Sequence, residues 1–151
     1  MQALNLPEYN FKFGLENGKT TIWDTIRKKY IILTPEEWVR QNFVEFLIQQ
    51  HQFPRSLIQI EKGLRVHKTY KRADVICNNQ NGYPVLLVEC KAPEVKITQA
   101  AFDQVARYNI TFKVPYLVVT NGISHYCCKV DLEKKDYTFL EELPSYNSIK
   151  A

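Results

Sequence analysis

Two apolar runs separated by a polar turn dominate the pattern of this chain. Ala73-Asp74-Val75-Ile76-Cys77 is followed, after Asn78-Asn79-Gln80-Asn81-Gly82, by Pro84-Val85-Leu86-Leu87-Val88-Glu89-Cys90. The second run is almost unbroken, of strand length and rich in branched residues, which predicts a central strand covered on both faces. The residues between the runs tolerate turn dihedrals, so the pair reads as an antiparallel hairpin. Closed symmetrically, this hairpin sets Asp74 opposite Leu87 and diagonal to Glu89, with the diagonal neighbours roughly 7 to 8 Å apart at Cα.

Helical periodicity flanks the hairpin. Thr34-Pro35-Glu36-Glu37 combines an N-cap, a proline at N1 and a glutamate at N3, the capping-box arrangement. Val39, Phe43, Phe46, Leu47 and Gln50 follow at helical spacing. Thr98 caps a second helix with Ile97 and Phe102 as its hydrophobic staple. On that helix Phe102, Val105, Ala106 and Asn109 share the core face, while Gln104 and Tyr108 form a stripe of their own. Upstream, Asn17-Gly18 joins Phe11 to Leu15 with Thr20 to Asp24 as a hairpin, and Tyr30 to Leu33 adds a third short strand. Ser56 to Val66 contains the strand leading into the central hairpin. Pro115 to Thr120 and Ser124 to Val130 flank another hairpin-type turn at Asn121-Gly122. The expected architecture is a single α/β domain over residues 1–151. It comprises an N-terminal β element (1–33), a core (34–130) built on a mixed sheet with a helix on each face, and a C-terminal strand and loose tail (131–151).

Composition narrows the class without fixing the activity. At 151 residues with 45% hydrophobic content, the chain can bury most of its apolar surface and is not a disordered segment. The net charge of +4 is mild but uneven, because Arg55, Lys62, Arg65, Lys68, Lys71 and Arg72 are set against Glu61 alone in that interval. Such a cluster either neutralises phosphates or is a solvated face; Arg27-Lys28-Lys29 carries the same ambiguity. Four cysteines without CxxC spacing fit buried free thiols in a reducing compartment. No apolar segment reaches membrane length and Met1-Gln2-Ala3 begins no signal-peptide pattern, so a cytoplasmic protein is expected. Gly14-Leu15-Glu16-Asn17-Gly18-Lys19-Thr20 is one residue short of the Walker A spacing and leads into a strand, so it is not a phosphate loop.

Chemistry concentrates where the two central runs end. Charged groups at the ends of buried strands are costly unless paired, and Asp74 and Glu89 can converge on a divalent cation. Magnesium suits two carboxylates with retained waters, Mn2+ is its natural substitute, and the Cys90 backbone carbonyl is a further candidate ligand. Lys91, on the Glu89 face of the strand, would position the attacking water and offset charge on phosphate oxygens. The bland alternatives are a strand cap for Asp74 and a same-face ion pair for Glu89 and Lys91.

The set Asp74, fourteen residues, Glu89-Cys90-Lys91 resembles the PD-(D/E)XK nuclease superfamily, with Ala73 where the superfamily's name places a proline. Gln104 and Tyr108 supply the Gln-x-x-x-Tyr helix of its RecB-type and type I restriction branch. From about residue 34 to 128 the chain is most similar to the N-terminal nuclease domain of type I restriction R subunits. Pro35-Glu36-Glu37-Trp38-Val39-Arg40-Gln41, Glu89-Cys90-Lys91-Ala92-Pro93 and Val119-Thr120-Asn121-Gly122 carry that likeness. The resemblance implies a restriction-endonuclease-like fold and magnesium-dependent endonucleolytic cleavage of DNA. It gives Gln104 and Tyr108 places beside the acids, and it makes Glu37 a third acid, although helix capping explains Glu37 equally well. Arg40 would contact a phosphate or pair with an acid, and Arg65, Lys68, Lys71 and Arg72 would line the nucleic-acid path. Type I R subunits carry an ATP-driven motor, whereas this sequence has no nucleotide-binding motif, so a stand-alone nuclease, a nuclease supplied in trans, or a fragment or relic is expected. A homodimer fits, since one such site cuts one strand. The competing reading is a non-catalytic module that binds nucleic acid or a restriction-modification partner.

Overall fold

The computed structural model describes residues 1–66 and 68–151, and the side chains of residues 65, 66, 69 and 71 lie outside that description. A small antiparallel sheet opens the chain, formed by β1 (Phe13–Glu16), β2 (Lys19–Asp24) and β3 (Lys29–Ile32) in that order. Asn17 and Gly18 make its first turn, both at positive φ, as expected of the dipeptide. Helix α1 (Pro35–His51) follows, then β4 (Ile58–Val66), β5 (Thr69–Asn78) and β6 (Pro84–Cys90), helix α2 (Gln99–Phe112), β7 (Tyr116–Thr120), β8 (His125–Asp131), β9 (Asp136–Leu140) and the short α3 (Tyr146–Ile149). The last six strands form one sheet in sequence order, antiparallel throughout except for the parallel pair β6 and β7. That parallel step requires a crossover, and α2 supplies it.

Two apolar clusters sandwich the sheet, as the unbroken apolar pattern of β6 requires. Val39, Phe43, Val44 and Leu47 of α1 pack with Val75, Cys77, Leu86, Val88 and Val118 on one face. Phe102 and Ala106 of α2 pack with Ile76, Leu87, Leu117, Val119 and Cys128 on the other. The helix on each face expected from the sequence is therefore present. Both N-caps are as read, with Thr34 Oγ1 accepting from the Glu37 amide at 3.0 Å and Thr98 Oγ1 from the Ala101 amide at 3.1 Å. The Glu37 carboxylate does not complete a capping box, because buried partners described below have taken it.

Three expectations change. The central hairpin is not symmetric: Val75 pairs with Val88 and Ile76 with Leu87, and a bulge follows between Cys77 and Asn78. Asp74 thus stands level with Glu89 instead of with Leu87. The cause is the turn, where the Asn79 carboxamide accepts from the amides of Asn81 and Tyr83, both at 3.0 Å, and draws the loop to one side. Strand β5 is also longer than read, starting at Thr69. Lastly, the C-terminal segment is not loose, since Tyr146 and Ile149 are buried in the α1-side cluster and Tyr146 meets Phe53 edge-on at 5.6 Å between ring centres.

All four cysteines are free and buried. Burial pushes the Cys127 and Cys128 thiols up to about 12, and raises those of Cys77 and Cys90 as well. The native protein should therefore leave all four unmodified by an aromatic disulfide reagent at pH 8, whereas denaturant should release four equivalents. Rapid native labelling of any one would contradict its burial.

Candidate functional site

The site is built on a row across three neighbouring strands. Pairing of β4 with β5 runs from Ile60 with Val75 to Lys62 with Ala73, which sets Glu61 level with Asp74. The β5 to β6 register extends to set Asp74 level with Glu89. Glu89 shares the sheet face of Leu87 by strand alternation, whereas the Asp74 carboxylate is met by Arg40 of α1 at 3.8 Å. Where the β5–β6 ladder ends, the Asp74 side chain takes over, its Oδ2 accepting from the Cys90 amide at 2.7 Å. Glu89 is buried, and Asp74 is 20% exposed at its side chain. Lys91 is partly exposed, and its amide donates to the Thr120 carbonyl at 2.8 Å, which continues the β6–β7 pairing beyond Cys90. The Cys90 thiol lies in the α1-side cluster, where burial and then the charge of Asp74 raise it.

Glu61 adopts φ 54°, a left-handed conformation in mid-strand for a residue with a side chain. Such an outlier persists only when its surroundings over-determine it, and here they do. Arg72 holds both ends of Glu61, its Nε donating to the Glu61 carbonyl at 3.2 Å and an Nη to the carboxylate at 2.9 Å. Arg40 reaches the other carboxylate oxygen at 3.2 Å, and Arg27 approaches at 3.7 Å.

Behind this row lies a buried ionic network. The Arg27 guanidinium contacts Asp24 at 2.6 Å and both Glu37 oxygens at 3.0 Å. The Gln41 amide bridges Asp24 and Glu37, both at 3.0 Å. Arg40 lies 3.3 Å from Glu37 and 3.8 Å from Asp74. Glu37, Arg40 and Gln41 meet because i, i+3 and i+4 share one helical face. Burial alone would push the Asp24 carboxyl up, but hydrogen bonds from Arg27 and Gln41 outweigh it and hold Asp24 below the usual carboxylate range. Glu36 is displaced the other way: burial and then the charge of Asp74 raise it, while Arg40 and Lys91 pull against them.

Several expected roles are relocated by this geometry. Of the two readings of Arg40, a phosphate contact or a pair with an acid, the structure has the second: only 6% of its side chain is exposed and its guanidinium faces Glu37, Glu61 and Asp74. Glu37 is tied up by Arg27 and Gln41, and its neighbour Glu36 is the α1 acid that feels Asp74 and Lys91. Lys68 and Arg72 are exposed at the surface, as a phosphate path needs, although Arg72 also grips Glu61. The side chains of Arg65 and Lys71 lie outside the described residues. Arg55 pairs with Glu45 at 2.9 Å. Gln104 and Tyr108 are exposed on α2, away from the buried face of Phe102, Ala106 and Asn109. Sequence reasoning missed Asp24, Arg27, Glu36, Gln41 and Glu61; the Glu37, Arg40, Gln41 spacing was the one available signal.

Fold and site together define a mixed α/β domain with an acid pair and an arginine-bound acid cluster where its central strands separate. Residues 35–144 match the family described as type I restriction enzyme R protein N terminus (HSDR_N), and the chain belongs to that family. Among solved structures, a fragment of an HsdR subunit of a type I restriction enzyme from Vibrio vulnificus YJ016 is similar in fold. Its TM-score is 0.55 at 18% sequence identity, covering 78% of this chain and 24% of that one. The present chain therefore spans about a quarter of that relative's length. No curated protein matches this chain.

Proposed function

We propose that this chain is a magnesium-dependent nuclease of the PD-(D/E)XK type that hydrolyses DNA phosphodiester bonds. The observation that carries the reading is the level placement of Asp74 and Glu89 at the separating ends of adjacent central strands, with Lys91 two residues beyond. Among the described residues no three acidic, histidine or cysteine side chains are placed to hold a metal ion between them. That donor set fits a cation that keeps most of its waters and takes one or two carboxylates, and it does not fit a closed tetrahedral centre. Asp74 and Glu89 would hold the ion, with the Cys90 carbonyl as a further ligand. Bound magnesium supplies Lewis acidity toward a phosphoryl oxygen and a more acidic water. The Lys91 ammonium orients the attacking water and offsets charge gathering on the phosphate. Lys68, exposed in the β4–β5 turn, and Arg72, exposed although paired with Glu61, would meet the nucleic-acid backbone, while Gln104 and Tyr108 would steady the substrate strand. None of the described helices is long and apolar enough to cross a membrane, and the proposed setting is the cytoplasm, with DNA, restriction-modification subunits or a second copy of the chain as partners.

Titration calorimetry with Mn2+ tests the reading. The parent should bind, and Asp74→Ala and Glu89→Ala should each lose binding while keeping the fold. Undiminished binding in either variant would remove that residue from the site. A second reading, a binding module without catalysis, draws on the arginines that already neutralise Glu37 and Glu61 without a metal. It predicts metal-independent DNA binding with no cleavage.

A further inference from the structure

Arg40 is a buried cation facing three acids, and the geometry tells its contacts apart. Its Nε lies 3.3 Å from Glu37 and one Nη 3.2 Å from Glu61, and that same Nη reaches Asp74 at 3.8 Å. Glu37 is anchored from behind by Arg27, which Asp24 at the end of β2 holds in turn. Glu61 is anchored from in front by Arg72. The Arg40 guanidinium therefore lies between two anchored acids, and the Nη that bonds Glu61 also forms an ion pair at 3.8 Å with Asp74 Oδ1, while Asp74 Oδ2 takes the Cys90 amide. A planar fork held in this way restricts where a neighbouring carboxylate can turn; a flexible ammonium would not.

We propose that Arg40 is a positioning residue that holds the Asp74 carboxylate against the Cys90 amide, and that through Glu37, Arg27 and Asp24 it makes the N-terminal β element part of the site. The part concerning the metal rests on the nuclease reading above; the part concerning Asp74 does not. Outer-shell groups that orient ligands typically change metal affinity or activity by roughly 10- to 100-fold when removed. Charge alone argues the opposite sign, since deleting a cation beside a dication site should tighten binding.

The test uses the full chain with Arg40→Gln, Arg40→Lys and Asp74→Asn. Without metal, amide hydrogen exchange at Cys90 should accelerate roughly tenfold in Arg40→Gln, and Arg40→Lys should not restore protection. In an Asp74→Asn background, Arg40→Gln should have no further effect at Cys90, because the influence runs through that carboxylate. Val88, on the same strand, reports general loosening and should stay protected in every variant. With Mn2+, calorimetry should show Arg40→Gln binding roughly 10-fold or more weakly than the parent. Unchanged Cys90 exchange, equal acceleration at Val88, or an additive response in the Asp74→Asn background would each overturn the proposal. Tighter Mn2+ binding would reduce Arg40 to a countercharge and overturn it also. A parent that binds no Mn2+ would count against the nuclease reading, and the Cys90 exchange would still decide the positioning role.

Discussion

Lys91→Ala is expected to slow metal-dependent DNA cleavage roughly hundred- to thousandfold, the range found when one preorganised charge-stabilising donor is removed from a hydrolytic site. Lys91 sits just past the last residue of β6, tied by its amide to Thr120 at 2.8 Å. Its backbone is therefore fixed by the sheet, and the loss should fall on the side chain alone. A group that acts in the transition state lowers kcat and kcat/KM together, so KM and Mn2+ affinity should stay within a few-fold of the parent. Single-turnover cleavage of a plasmid in Mg2+, with Glu89→Ala alongside, gives the contrast. Glu89→Ala should lose both cleavage and metal binding. Full activity in a folded Lys91→Ala protein would sink the proposed role of this lysine. A loss confined to KM would reassign Lys91 to substrate binding.

The largest stability effect should come from a residue that touches no substrate. Arg27→Leu leaves Asp24, which is wholly buried, and Glu37, which nearly is, without the cation they share. Removing one member of a buried ionic cluster costs about 3 to 5 kcal/mol. For a chain of this length that lowers Tm by roughly 10 °C. The acid dependence follows from Asp24, whose carboxyl is held below its ordinary range once the Arg27 and Gln41 hydrogen bonds outweigh burial. A lowered folded-state pKa contributes stability that is fully present above the unfolded value near 4 and lost as pH falls through the folded value. Urea midpoints of the parent should therefore hold from pH 5 upward and drop below pH 4. Without the Arg27 guanidinium, burial acts on Asp24 against only the Gln41 amide and the backbone amides of residues 26 and 27, which shifts it toward its protonated form, so the penalty of the substitution should shrink in acid. A penalty independent of pH would show that Arg27 stabilises by packing instead of by charge.

The fold accounts for where Asp74, Glu89 and Lys91 stand but not for how the charges around them are balanced. Asp74, Glu89 and Lys91 stand where β5 and β6 separate, as their positions at the ends of apolar runs require. The arginines that surround them come from three different elements: Arg27 follows β2, Arg40 lies in α1 and Arg72 in β5. In the chain Arg27 and Arg72 were legible only as basic residues, and Arg40 as a phosphate contact or a partner of some unspecified acid. A phosphate path explained all three equally well, and Arg27 and Arg40 proved to face acids. Net charge over a window records how many cations a segment holds, and it is silent on which acids the fold will bring to them.

Local rules settled what local interactions decide. The caps at Thr34 and Thr98, the Asn17-Gly18 turn and the strand nature of residues 84–90 all follow from side-chain alternation, helix-capping preferences and turn dihedrals, which act over a few residues. Tertiary structure alone decided the rest. The asymmetric closure of the hairpin put Asp74 level with Glu89, because a two-residue shift in register keeps every side chain on its face and so leaves no trace in the apolar pattern. The left-handed bend at Glu61 and the burial of Arg27 and Arg40 have the same origin. Partners 10 to 34 residues apart in the chain meet only after α1 has docked on the sheet, and the energy of a buried ion depends on that meeting.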